Sequence, residues 1–158
     1  MKFTIQTDDP SRAEVVSLLQ THLAFAAAHT PAGSGHALDV SALMRPEITF
    51  WTARDETGAV IGCVAMKELS PDHGEIKSMH TLEAHRGKGV ARALLETVMK
   101  EAKIRGLTRL SLETGKSDGF GPSRLLYERM GFAACEPFGG YGADPFSHCM
   151  SREIGGPD

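Results

Sequence analysis

The sequence predicts a single α/β domain, built as one mixed β-sheet with helices on both faces. Three observations lead there. First, strand-like runs and helix-period runs alternate through almost all of residues 1–154. Second, Val90, Ala91, Leu94, Leu95, Val98, Met99 and Ala102 recur at helical spacing and make one broad apolar face. That helix, Val90 to Arg105, lies between two strand candidates, so it reads as a right-handed crossover between parallel strands. Third, hairpin-length turns at Asp55–Gly58 and Ser70–Gly74 make the earlier strands antiparallel.

The elements follow in order. Phe3 to Thr7 alternates apolar and polar residues as a first strand. Asp9-Pro10-Ser11 is a helix-start signal, and the helix after it carries Val15, Val16, Leu18, Leu19, Leu23 and Phe25 before fading near Ala28. Residues 30–35 are loop by their turn chemistry, and a short helix is expected from His36 to Met44. Pro46 stops it ahead of the strand Ile48 to Ala53. Val60 to Leu69 is apolar at its centre, as a strand covered on both faces would be. The strand Glu75 to Leu82 precedes the crossover helix, which Gly106 caps. On that helix's outer side Glu96 with Lys100, and Glu101 with Arg105, are spaced for ion pairs stabilising it by about 0.3 kcal/mol each. Arg109 to Thr114 is the next strand, and Pro122 to Met130 a short helix ended by Gly131. Phe132 to Pro137 and His148 to Ile154 are the last strands, and residues 138–145 between them form an expected surface loop. Residues 155–158 are a loose tail.

Composition narrows the function. Hydrophobic content of 41% and charged content of 23% fit a globular domain. A net charge of -3 gives no basis for general nucleic-acid binding. No apolar run approaches the roughly 20 residues that span a membrane, and the N-terminal residues turn acidic too soon for a secretory signal. Three widely spaced cysteines without a CxxC argue against a disulfide framework, so a reducing cytoplasm is the expected location. The seven histidines show no metal-ligand spacing, although His22, His29 and His36 recur every seven residues, and no metal is expected.

The chemistry starts at Arg86-Gly87-Lys88-Gly89. A glycine turn between a strand and a helix presents backbone N–H groups that lack helical partners, at the positive end of the helix dipole. Glycine lets a phosphate come close, and Arg86 and Lys88 add charge. The turn is therefore a candidate anion site.

These motifs resemble the GNAT superfamily of acetyl-coenzyme A-dependent N-acetyltransferases. Arg86-Gly87-Lys88-Gly89-Val90-Ala91 matches its Gln/Arg-x-x-Gly-x-Gly/Ala signature, in the required place between strand and helix. Leu126-Tyr127-Glu128-Arg129-Met130-Gly131-Phe132 matches its Leu-Tyr-Glu-x-x-Gly-Phe segment, one strand and one loop further on. His36 to Asp39, Gly74 to Met79, Leu112 to Gly115, and Tyr141 with Asp144, Pro145 and Ser147 look like a bacterial subgroup of small members whose substrates are mostly uncharacterised. Phe120 and Ser123 stand where the wider family often has Asn and Ala.

The resemblance implies the GNAT acyl-CoA N-acyltransferase fold and acetyl-CoA as cosubstrate. It implies that Arg86, Gly87, Lys88, Gly89, Val90 and Ala91 hold the pyrophosphate, that the main chain of Met79, His80 and Thr81 binds the pantetheine arm, and that Ser123 borders the cofactor. In the family the cofactor strand often splays at a bulge, leaving an amide near Met79 for the oxyanion. Tyr127 holds the position of the acid that protonates the thiolate.

For the base, Glu75 leads: strand alternation places it on the face of Lys77, Met79 and Thr81. Glu113 is second and His80 third. His22, His29, His36, Trp51, Tyr141 and Asp144 are candidates to border the acceptor, with Asp144 suited to a cation and Arg124 or Arg45 to a carboxylate. The expected reaction is direct acetyl transfer to the primary amine of a small metabolite or amino acid. Acetylation of a protein lysine or N-terminus, or a non-catalytic acyl-CoA sensor, are the alternatives. The expected partner is a small amine, without nucleic acid or membrane, and homodimerisation is common in the family.

Overall fold

The computed structural model describes residues 2–30, 40–139, 141, 142 and 144–155. The elements are β1 (Phe3–Thr7), α1 (Ala13–Ala28), α2 (Val40–Leu43), β2 (Ile48–Asp55), β3 (Val60–Ser70), β4 (His73–Thr81), α3 (Val90–Ile104), β5 (Arg109–Gly115), α4 (Gly121–Arg129), β6 (Ala133–Ala134) and β7 (Ser147–Glu153). Seven strands form one sheet in the order β1-β2-β3-β4-β5-β7-β6. β4 and β5 run parallel through the α3 crossover, and the other neighbours are antiparallel.

Two cores explain the near-continuous hydrophobicity of β3. Ile61, Val64 and Met66 join the core under α3, with Leu94, Leu95 and Val98. Cys63 and Ala65 join the core under α1, with Val15, Leu18 and Leu19. Burying each large apolar side chain is worth about 1.5–3 kcal/mol, against about 0.3 kcal/mol for a surface ion pair, so burial is what seats α3. Gly62 permits the close fit. A Cβ there would lie 3.1 Å from Val90 Cγ1 and 3.2 Å from Leu94 Cδ1.

Several expectations are corrected. The first helix begins at Ala13 because Asp9 turns back on Ser11, accepting its N–H and its hydroxyl, and caps no helical N–H. Glu96 pairs with Arg92, one turn earlier, at 2.9 Å, whereas Glu101 does pair with Arg105. The penultimate strand shrinks to two residues, because only Ala133 and Ala134 meet β7 in register. The helix expected from His36 is described only as α2; His36 to Asp39, and most of the tail, lie outside the described residues.

The correction that matters most concerns β4. Its pairing with β3 slips between Cys63 and Ala65, where Ser78 adopts φ +53°. This bulge reverses the alternation. Lys77, opposite Ala65, and His80, opposite Cys63, belong to the α1 face, whereas Met79 packs on the α3 core and Thr81 faces Gly62. Glu75 therefore shares a face with Lys77, but not with Met79 or Thr81. Gly62→Val should destabilise the fold by about 1–3 kcal/mol by pushing Val90 and Leu94 outward, read from the urea midpoint.

Candidate active site

Ladder pairing between β4 and β5 ends at Ile76 and Leu112. Beyond that point the strands part, and a cleft of about 530 Å³ opens between them. Lys77 and Glu113 are the next residues on the two strands and flank the apex. The loss of ladder partners leaves one edge of residues 77–81 without β5, which is where a polar, extended arm could add its own hydrogen bonds.

Most of the residues expected at the cofactor line this cleft. Met79, His80 and Thr81 come from β4; Arg86, Gly87, Gly89, Val90 and Ala91 come from the turn and the start of α3; Ser123 comes from α4. Lys88 is exposed and is not among the lining residues. Gly87 and Gly89 have φ +75° and +85°, a conformation that side chains oppose, and a Cβ on either would meet open space. No side chain caps α3 and no acid sits in its first turn, so its N-terminal N–H groups are not claimed by a side-chain cap. Arg86 is tied down by donating from Nε to the Thr81 carbonyl, 3.2 Å away. The hydroxyls of Ser78 and Thr81 are buried without a partner among the described residues, a shortage that a polar ligand would relieve. The residues present therefore fit a phosphate-bearing, amide-rich ligand.

Tyr127 lies on the α3 face, 7% exposed, and its hydroxyl donates to Met79 Sδ at 3.6 Å. Burial pushes its phenol well above the ordinary value, so it keeps its proton. The other face carries the carboxylates. Glu75 is 3% exposed and does not itself line the cleft. Its Oε2 accepts from Lys77 Nζ at 3.0 Å and from the Tyr141 hydroxyl, and Lys77 Nζ is 2.6 Å from Tyr141 Oη. Glu113 does line the cleft, accepts from Ser147 Oγ at 3.2 Å, and is raised to about 7, chiefly by burial. The geometry thus favours Glu113 over Glu75 as the group able to exchange a proton with a bound molecule.

A third group lies along α1. His22 Nδ1 and His80 Nδ1 are 3.1 Å apart, and burial lowers both rings to about 4. Phe25, His29 and Phe120 pack edge to face or tilted beside them, and Ser117 Oγ donates to the His29 carbonyl at 2.7 Å. Trp51 is in the core and borders nothing in the cleft. His36 lies outside the described residues. Among the described residues no three His, Cys, Asp or Glu side chains are placed to hold a metal. Sequence reading missed Tyr141 as a partner of Glu75 and Lys77, the His22–His80 contact and Ser78. The two-residue spacing of Glu75 and Lys77 on one strand signals their own pairing; nothing local signals the others.

The sequence profile of the Acetyltransferase (GNAT) family matches residues 17–132. The chain belongs to the GNAT acetyltransferase family. It is similar to an uncharacterised N-acetyltransferase of Bacillus subtilis, YsnE, with 48% identity over 95% of this chain and 99% of that one. It is also similar to an IAA acetyltransferase of Azospirillum brasilense, with 37% identity over 96% and 97%. A Klebsiella pneumoniae structure named as an acyl-CoA N-acyltransferase superposes with a TM-score of 0.83, at 27% identity, covering 96% of this chain and 97% of that one. The sheet with helices on both faces is thus the GNAT fold, and this fold implies an acetyl-CoA cosubstrate.

Glu113 gives a prediction that does not depend on turnover. Its carboxyl is raised when folded, so between pH about 4.5 and about 7 the folded chain holds a proton that the unfolded chain has released. This group's contribution to stability therefore falls as pH rises through that window. Glu113→Gln should raise Tm by a few degrees above pH 7 and change it little near pH 4; the same shift at both values would contradict the assignment.

Proposed function

We propose that the protein transfers the acetyl group of acetyl-CoA directly to the primary amine of a small molecule, with Glu113 as base and Tyr127 as acid. One observation carries the reading. At the apex where β4 and β5 part, a titratable carboxylate lies on the α1 face and a protonated phenol on the α3 face. An amine arriving from one side and a thiolate leaving toward the other would each meet the group they need.

The thioester supplies the activated acyl group. The protein's part is placement and proton transfer. The turn from Arg86 to Ala91 holds the pyrophosphate by backbone N–H groups, and the open edge of residues 79–81 orders the pantetheine arm. Glu113 removes a proton from the attacking amine. Its raised value brings it closer to the amine's value of about 10 than an ordinary carboxylate of about 4.3. Glu75, committed to Lys77 and Tyr141, positions that neighbourhood. Tyr127 donates to the departing sulfur. Its burial opposes the phenolate, but the same dry surroundings raise a thiolate too, which keeps the transfer within reach.

Four measurements test this. Acetyl-CoA should bind in calorimetry, and Gly89→Trp should weaken it strongly; unchanged affinity would move the pyrophosphate elsewhere. Thiol release should be screened over amines, amino acids and peptides, with IAA, the acceptor in the name of the Azospirillum relative, as one arm. With an active acceptor, Tyr127→Phe should cut turnover by about 10²-fold with little change in cofactor affinity. Glu113→Gln should abolish the rise in kcat/KM through pH about 7.

A further inference from the structure

Beyond the apex, a chain of rings spans the parted strands on their α1 face. His80 belongs to β4, and its ring centre lies 5.8 Å from that of Phe25 on α1. Phe25 meets Phe120 edge to face at 5.6 Å. Phe120 in turn rests on Gly115 of β5, so closely that a Cβ there would collide with the ring. His29 braces the middle, 4.4 Å from the Phe25 ring and 6.1 Å from the Phe120 ring, and is pressed onto Gly119 in the same way. The loop that carries Phe120 is held from both sides. Ser117 Oγ donates to the His29 carbonyl, and Arg124 of α4 donates to the carbonyls of Gly115 and Ser117. The rings thus bridge one lip of the cleft to the other.

The other face is spanned as well. Tyr127, on α4, reaches Met79 of β4, and Leu126 lines the cleft with it. An extended arm laid along residues 79–81 therefore runs between two covers, the rings toward α1 and Leu126 with Tyr127 toward α3. The α1 cover matters more for selectivity, because Glu113 works on that face. A base that can take a proton from an amine can take one from water, and water outnumbers any acceptor. Phe25 and Phe120 line the cleft yet are only half-buried, so each ring stands between the cleft and solvent.

We propose that Phe25 and Phe120 set the choice of an amine over water as the nucleophile. This inference rests on the acetyl-transfer reading and assigns its selectivity. The rings close the α1 face over the thioester, so that bulk water does not reach the carbonyl beside Glu113. The acceptor enters past Phe146 and Ser147, cleft-lining residues outside the bridge. With the bridge broken, water adds to the thioester carbonyl and gives a proton to Glu113. The C–S bond breaks and the thiolate regains a proton, leaving acetic acid and the CoA thiol.

The test needs no acceptor. Acetyl-CoA is added to the full-length protein, and release of free thiol and of acetate is followed. Phe120→Ala should raise acetyl-CoA hydrolysis by about tenfold or more, within the range that a positioned base gives a nucleophile it can reach. Affinity for CoA, read by calorimetry, should stay within about threefold, because the phosphate turn is untouched. Phe120→Tyr keeps the ring and should hydrolyse no faster than the unaltered protein. Gly115→Ala displaces the ring without removing it and should act like Phe120→Ala, which covers the case in which that variant does not fold. Unchanged hydrolysis in a folded variant that binds CoA overturns the inference and leaves acetyl transfer standing. An equal gain in Phe120→Tyr does the same. Lost CoA affinity with no gain in hydrolysis marks the rings as packing alone and also overturns it. If the unaltered protein binds no acetyl-CoA, the transfer reading falls together with the inference.

Discussion

The parting of β4 from β5 is the constraint on which the rest of this protein depends. A parallel pair normally continues its ladder along the shared length of both strands. Here it stops after Ile76 and Leu112. On the opposite edge β4 keeps its pairing with β3, but only by absorbing an extra residue at Ser78, whose backbone takes the left-handed conformation. That conformation costs a non-glycine residue about 1–2 kcal/mol, which the two flanking cores hold in place. The result is a cleft lined by main chain that lacks a strand partner, at the centre of a rigid sheet.

The bulge also decides which chemistry meets which. Without it, Glu75, Lys77, Met79 and Thr81 would share one face. With it, Lys77 and His80 turn toward α1 while Met79 and Thr81 turn toward α3. Tyr127 reaches Met79 from α4, and Glu113 lies across the apex from Lys77. The Glu113 carboxyl and the Tyr127 phenol thus lie on opposite sides of the point where the strands separate. The two carboxylates also divide their roles by environment. Glu75 is buried and tied to a lysine and a tyrosine, whereas Glu113 opens on the cleft with a serine as its hydrogen-bond partner.

Much of this was legible from residue order. The amphipathic pattern from Val90 to Ala102 named the crossover helix and its buried face, and glycine spacing from Arg86 to Gly89 located the turn at its N-terminus. The doubly covered β3 could be recognised from its apolar run. Other features were not legible because they arise between distant residues. Strand alternation favours Glu75 as base, a rule that the bulge suspends three residues later, at Ser78. Tyr141 meets Glu75 across 66 residues of chain, and His22 meets His80 across 58. No local pattern encodes such meetings.

Residue order was enough for the family resemblance, the element order and the position of the glycine turn, because each depends on local periodicity or on short motifs whose geometry is set by neighbouring residues. Which face each β4 side chain occupies, and which carboxylate opens on the cleft, follow only from the three-dimensional arrangement. Those properties depend on burial and on long-range pairing, and a carboxylate's affinity for a proton is a property of its surroundings.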